Sequence, residues 1–113
     1  MLIKKSNAIK KMHSDQCTVW EYDFPSKDFS LATALINGRY PAEKRSVNLE
    51  CQEVYYVLSG SGTIHSDQGD FEVSSGDLYF FEKAESYWID GHELTIVLVN
   101  APKWSAEQYR LID

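Results

Sequence analysis

The sequence predicts an all-β sandwich or barrel. Runs rich in β-branched and aromatic residues alternate with period two, turn signals recur about every 8–12 residues, and no helical periodicity lies between them. A chain of 113 residues suffices for one domain and not for two. Its 43% hydrophobic and 25% charged residues match a globular protein with a core, and no apolar run approaches the roughly 20 residues of a membrane span. Aromatic residues reach 13%, which suggests an interior or pocket lined by rings.

Residues 1–16 read as an arm that is irregular or pairs at a sheet edge, and residues 17–113 as a single domain. Cys17-Thr-Val-Trp-Glu-Tyr22 is the first β-rich run, closed by Phe24-Pro25-Ser26. A strand from Phe29 to Ile36 is expected to stop at Asn37-Gly38, a strong turn dipeptide. A strand near Arg45–Leu49 leads to Glu53-Val-Tyr-Tyr-Val-Leu58, the most β-rich run of the chain. Ser59-Gly-Ser-Gly62 reads as a hairpin turn, followed by strands at Thr63–His65, Phe71–Val73 and Leu78–Phe81, separated by turns at Asp67–Asp70 and Ser74–Asp77. Ser86–Ile89, a turn at Asp90-Gly91 and a strand over Glu93–Asn100 complete the series. In the tail 104–113, Ser105 and Gln108 have capping-box spacing, which predicts a short helix over Ala106–Leu111 stapled by Trp104.

Charge is uneven. Residues 1–13 carry four lysines and no acid, whereas the other 100 residues hold 7 basic and 17 acidic side chains, giving −6 overall. So acidic a body is a poor electrostatic partner for nucleic acid or anionic lipid, and neither is an expected partner. Cys17 and Cys51 are far apart and lack CxxC spacing. With no apolar leader segment, the expectation is two free thiols in a reducing cytoplasm, one structural disulfide being the alternative.

Two motifs bring in a family. Glu53, six residues and Gly60 (E-VYYVLS-G) resemble the end of the first conserved motif of the cupins, and Gly76-Asp77-Leu-Tyr-Phe-Phe opens like the second, 15 residues beyond Gly60. The resemblance spans about Gly38 to Asn100. It implies a cupin-type double-stranded β-barrel, a jelly-roll-like sandwich open at one end. It also implies a divalent metal held by two histidines and a glutamate of the first motif and a histidine of the second. Here the two first-motif histidine positions fall on Ser46 and Asn48, or on Val47 and Leu49 with a gap one residue shorter, and the last falls on Tyr87. Only Glu53 remains of a set that needs about three or four N, O or S ligands. His13, His65 and His92 lie outside the motif positions. The expectation is a barrel with no metal and no cofactor, a nonstandard site drawing on Cys51 being the alternative.

Alternation places Cys51, Glu53, Tyr55 and Val57 on one strand face. If Glu53 points inward, as the cupin glutamate does, the expected ligand-binding set is Arg39, Tyr40, Asn48, Cys51, Glu53, Tyr55 and Tyr87. Glu53 and Tyr87 are the expected catalytic pair: a buried carboxylate is the environment for a general acid or base, and a phenol supplies a second proton. The expected function is metal-independent binding of a small molecule, such as a carbohydrate or another polar compound. The alternative is a metal-independent isomerase, epimerase or lyase acting on a sugar or small carbonyl compound. The family pairs through an N-terminal strand, and Leu2, Ile3 and Ile9 make the arm partly apolar, so a homodimer contacting through residues 1–16 is expected.

Overall fold

The computed structural model describes all 113 residues. Its nine strands are β1 (Ile9–Ser14), β2 (Cys17–Tyr22), β3 (Ser30–Tyr40), β4 (Arg45–Asn48), β5 (Gln52–Ser66), β6 (Gly69–Ser74), β7 (Leu78–Phe81), β8 (Ser86–Ala101) and β9 (Tyr109–Ile112). Two of them are long and organise the rest. The first halves of β5 and the second half of β8 pair with each other from Gln52↔Ala101 to Val57↔Ile96, and their remaining halves pair from Ser61↔His92 to Ser66↔Tyr87. Around the former lie β1, β2 and β3 on one side and β7 on the other. Around the latter lie β4 with β9, and β6. All pairings are antiparallel, and the sheet curls into a barrel whose two walls share strands.

Three expected turns are bends within strands. Asn37-Gly38 lies inside β3, Ser59–Gly62 inside β5 and Asp90-Gly91 inside β8, at or beside the shifts in register. Asn37 Oδ1 accepts the backbone N–H of Glu93 at 3.0 Å, which ties two of the bends together. Glycine is required there by close approach: a Cβ on Gly91 would overlap the carbonyl of Ile36, and one on Gly60, at φ +77°, would overlap that of Glu93. The expected turns at Asp67–Asp70 and Ser74–Asp77 do join strands, the second fixed by Asp77 Oδ2 accepting the Ser74 N–H at 2.8 Å.

The C-terminal helix is shorter than expected. Ala106–Gln108 form one 3-10 turn, Ser105 makes no side-chain cap, and the chain continues as β9 along β4. The Gln108 side chain is withdrawn from the expected capping box because it is buried and accepts the N–H groups of Glu50 and Cys51. At the other terminus, residues 5–7 form a 3-10 turn and β1 pairs with β2 of the same chain. Cys17 and Cys51 are free and buried.

The interior has two ends of different character. Beside the glycine bends, Ile36, Val57, Ile64, Ile89, Leu94 and Ile96 fill the barrel with side chains at most 1% exposed. Toward the other end, rings and polar groups line an open cavity. The middle of the outer face of the first wall is uncharged. One row across five strands reads Leu78, Tyr56, Val97, Thr33, Trp20, and the next reads Phe80, Val54, Val99, Leu31, Tyr22.

The bends yield a test. Gly60→Ala combines a left-handed backbone with a blocked Cβ and is expected to cost about 3 kcal/mol or more, whereas Gly76→Ala, at φ +89° with nothing within 4 Å, costs about 1–2 kcal/mol of backbone strain alone. Urea unfolding of both variants checks the difference; equal losses contradict it.

Candidate functional site

Glu53 occupies the centre of the first wall, paired with Phe81 on one side and Asn100 on the other. Strand alternation turns it inward with Tyr55 and Val57 while Gln52, Tyr56 and Leu58 face out, as the sequence parity predicts. The residue is 5% exposed and lies on the wall of a cavity of about 870 Å³. Tyr87 O–H and Asn48 Nδ2–H each donate to Glu53 Oε1 at 3.3 Å. Burial pushes the carboxyl up to about 7, opposed by hydrogen bonds from Asn100 and Tyr87.

The polar wiring continues behind Asn48. Its Oδ1 accepts Gln108 Nε2–H at 2.8 Å and Trp104 Nε1–H at 3.1 Å, so the C-terminal tail sets the orientation of the amide that faces Glu53. Asn100 is buried and its Oδ1 has no hydrogen-bond partner. Rings pack beside the carboxylate: Tyr55 lies on Phe81 with centroids 4.8 Å apart, and Phe81 on Tyr87 at 4.4 Å, while aliphatic side chains and Lys11, Glu21, Asp23, Glu43 and Lys103 complete the lining. Burial and the nearby Glu53 raise the Tyr55 and Tyr87 phenols well above their ordinary value, so both remain proton donors. Burial likewise raises Tyr40, whose hydroxyl lies 3.5 Å from that of Tyr109; the latter contacts Ser46 Oγ at 2.6 Å.

Of the residues predicted from sequence, Tyr40, Asn48, Glu53, Tyr55 and Tyr87 come together on the cavity wall. Arg39 and Cys51 do not. Arg39 points outward, donating to the carbonyls of Pro41 and Lys44 and lying 4.1 Å over the Trp88 ring, because alternation along β3 puts it on the face of Thr33 and Leu35, opposite that of Ala34, Ile36 and Tyr40. Cys51 precedes the first residue of β5; it is buried against the carbonyl of Pro102 at 3.3 Å, and burial, then the charge of Glu53, raises its thiol. Cys17 lines the cavity, but burial pushes its thiol up to about 12. Sequence reasoning passed over Asn100, Trp104, Gln108 and Tyr109 as site residues. The apolar face of the tail indicated packing, and only the register of Asn100 opposite Glu53 marked it for the wall.

The donor set does not fit the metal that the resemblance implies. Asn48 turns an N–H, and Tyr87 an O–H, toward the carboxylate, and the Asn48 oxygen already accepts from Trp104 and Gln108. Leu49 is exposed, which leaves Ser46 and Asn48 as the inward pair of β4. No three His, Cys, Asp or Glu side chains converge in the chain. His65 stacks on Trp88 outside the barrel, His92 is exposed within β8, and His13 lies at the cavity rim near Tyr40.

No protein-family model and no curated protein sequence matches the chain. Solved structures do. The Streptomyces nucleoside dehydratase Pac13, also solved as variants with uridine, superposes with a TM-score of 0.88 at 15% identity, over 100% of this chain and 93% of that one. Ectoine synthase from P. lautus gives 0.76 at 15% identity over 100% and 91%, and KdgF from Halomonas sp. 0.78 at 7% identity over 92% and 96%. At these identities the likeness is one of fold, and the fold is shared by all three. The chain is a small single-domain cupin in fold, and Ser46, Asn48 and Tyr87 are the residues at which the sequence resemblance expects metal-binding histidines.

Proposed function

We propose that the barrel binds a neutral, polar small molecule that carries a ring and directs a hydroxyl or N–H group at Glu53. The observation that carries this reading is the placement of Glu53: it is the one buried carboxylate on the wall of a cavity large enough for a nucleoside or sugar, with Tyr40, Tyr55 and Tyr87 on the same wall, whereas the other charged lining residues, Lys11, Glu21, Asp23, Glu43 and Lys103, are not buried. A carboxylate in such surroundings costs free energy unless its lone pairs are occupied. Tyr87 and Asn48 both use Oε1, and a ligand donor at the second oxygen would add to what Asn100 contributes. The wall rings offer flat apolar surface to the remainder of the ligand. The likeness to Pac13, a nucleoside dehydratase, supports nucleosides as the first compounds to try.

A second reading is favoured by one observation. A carboxyl group lifted to about 7 is half ionised near neutrality, the condition for a general acid or base, and phenols beside it remain protonated. In a dehydration the Glu53 carboxylate takes a proton from carbon, and the C–H electron pair forms a C=C bond as the C–O bond breaks. The hydroxyl leaves with the proton of Tyr87 as water, and the Glu53 carboxyl returns its proton to Tyr87 across their hydrogen bond. Glu53 and Tyr87 would be catalytic residues under this reading alone.

Calorimetric titration with uridine, other nucleosides and monosaccharides tests the binding reading. One compound is expected to bind the native chain, and Glu53→Gln to weaken it about ten- to a hundredfold, the worth of a charge-assisted hydrogen bond of ~1.5–3 kcal/mol. Unchanged affinity in the variant removes Glu53 from the site. Loss of water from the bound compound, followed by mass spectrometry, supports the second reading when Glu53→Gln lowers the rate about 10²–10⁴-fold.

Glu53 also makes stability depend on pH. A carboxyl whose folded value is raised from 4.5 to about 7 stabilises the fold in full below the lower value, and that contribution falls as pH rises through the upper one. The difference is about 3 kcal/mol at one pH unit per 1.36 kcal/mol. The expected result is that Glu53→Gln gains stability relative to the native chain from pH 5 to pH 8, measured by urea unfolding. Parallel pH profiles contradict it.

A further inference from the structure

Charge in the cavity is confined to Glu53 and to the exposed end, where Lys11, Glu21, Asp23, Glu43 and Lys103 stand on the lining. Both lysines are already engaged by carboxylates. Lys11 Nζ lies 3.0 Å from Glu21 Oε1, and Lys103 Nζ 3.6 Å from Asp23 Oδ1. Register explains the first pair, since Lys11 faces Val19 across β1 and β2 and Glu21 is the next inward residue of β2. Glu43, exposed on the loop between β3 and β4, has no ion-pair partner.

The groups that ordinarily receive a phosphate are missing from this lining. None of its 30 residues is an arginine or a glycine. The three arginines donate to backbone carbonyls elsewhere: Arg39 to Pro41 and Lys44, Arg45 to His65 and Ser86, and Arg110 to Glu107 and Tyr109. The helical elements of the chain are two 3-10 turns of three residues, too short to present a row of free N–H groups to an anion.

We infer that the mouth selects the unphosphorylated form of the ligand, with Glu21 and Asp23 holding the two lysines and Glu43 repelling an anion. This rests on the binding reading above and names the class of compound that it leaves open. Glu21 pairs with Ala32, Ala32 with Leu98 and Leu98 with Tyr55. The Lys11–Glu21 pair therefore stands on the row of Tyr55, three strand spacings or about 14 Å along the wall, with only Ala32 and Leu98 between. A compound anchored at Glu53 extends its far end toward that pair. A phosphate there either takes a lysine from its carboxylate, leaving that carboxylate beside a dianion, or lies unpaired near Glu43. Both costs fall on the phosphorylated compound alone, and specificity is the difference between the two forms. A hydroxyl end group escapes them, because it donates to the same carboxylates.

Calorimetric titration with uridine against uridine 5′-monophosphate, and with glucose against glucose 6-phosphate, tests the inference at about 0.01 M ionic strength, where the Debye length is about 30 Å. In whichever pair binds, the native chain is expected to hold the unphosphorylated member at least about tenfold tighter, the ratio shrinking at about 1 M salt. Glu21→Gln combined with Glu43→Gln, which frees Lys11, and separately Glu43→Lys are each expected to lower that ratio about tenfold. Near-UV circular dichroism checks that the variants fold. A phosphorylated member bound by the native chain as tightly as its partner overturns the inference and leaves the binding reading standing. A ratio that neither folded variant moves assigns the discrimination to shape and overturns it too. Absence of binding in both pairs overturns the inference together with the reading on which it rests.

Discussion

Burying Glu53 among rings is unfavourable unless hydrogen bonds offset the loss of water, and the fold draws distant segments together to supply them. Tyr87 comes from β8 and Asn48 from β4, each 3.3 Å from the same carboxylate oxygen. Trp104 and Gln108, from the tail, hold Asn48 in turn. Gln108 then reaches the N–H groups of Glu50 and Cys51, just ahead of the strand that bears Glu53, so the polar chain closes on itself. Position 53 is thereby coupled to the C-terminus as well as to its sheet neighbours.

The barrel divides its interior between packing and chemistry. At the glycine bends three strands approach so closely that carbonyls of one occupy the Cβ positions of another, and aliphatic side chains fill the space they enclose. Past Phe81, larger rings hold the walls apart and the cavity opens. The same residues that make the site apolar raise the carboxyl and keep the phenols protonated. Ring packing, carboxyl burial and proton-donor supply are three consequences of one arrangement.

Much of this was legible in the sequence. The strand class, the inward parity of Glu53, Tyr55 and Val57, and the spacing from Glu53 to Gly60 to Gly76 all follow from local pattern, because a period of two leaves little freedom once one residue is fixed inward. Asn37-Gly38, Ser59–Gly62 and Asp90-Gly91 were misleading because a glycine dipeptide suits a hairpin turn and a bulge equally well. What separates the two is the strand lying opposite, such as the Ile36 carbonyl over Gly91, and that is a long-range fact. Arg39 lies outside the mouth by plain alternation, since it shares the outward parity of Leu31, Thr33 and Leu35 on β3. In the tail, Ser105 and Gln108 have the spacing of a helix cap, but a glutamine side-chain oxygen engaged by two other N–H groups is unavailable to that cap.

The central claim is that the cavity wall holds a carboxyl group perturbed by burial and kept in place by Tyr87, Asn48 and Asn100. It is tested most directly by carbon NMR titration of the Glu53 side-chain carboxyl in the native chain, assigned by its disappearance in Glu53→Gln. The account predicts a midpoint near pH 7, shifted further upward in Tyr87→Phe, which removes a hydrogen bond to the charged form. A midpoint in the ordinary carboxylate range of about 4–5, unmoved by Tyr87→Phe, contradicts it.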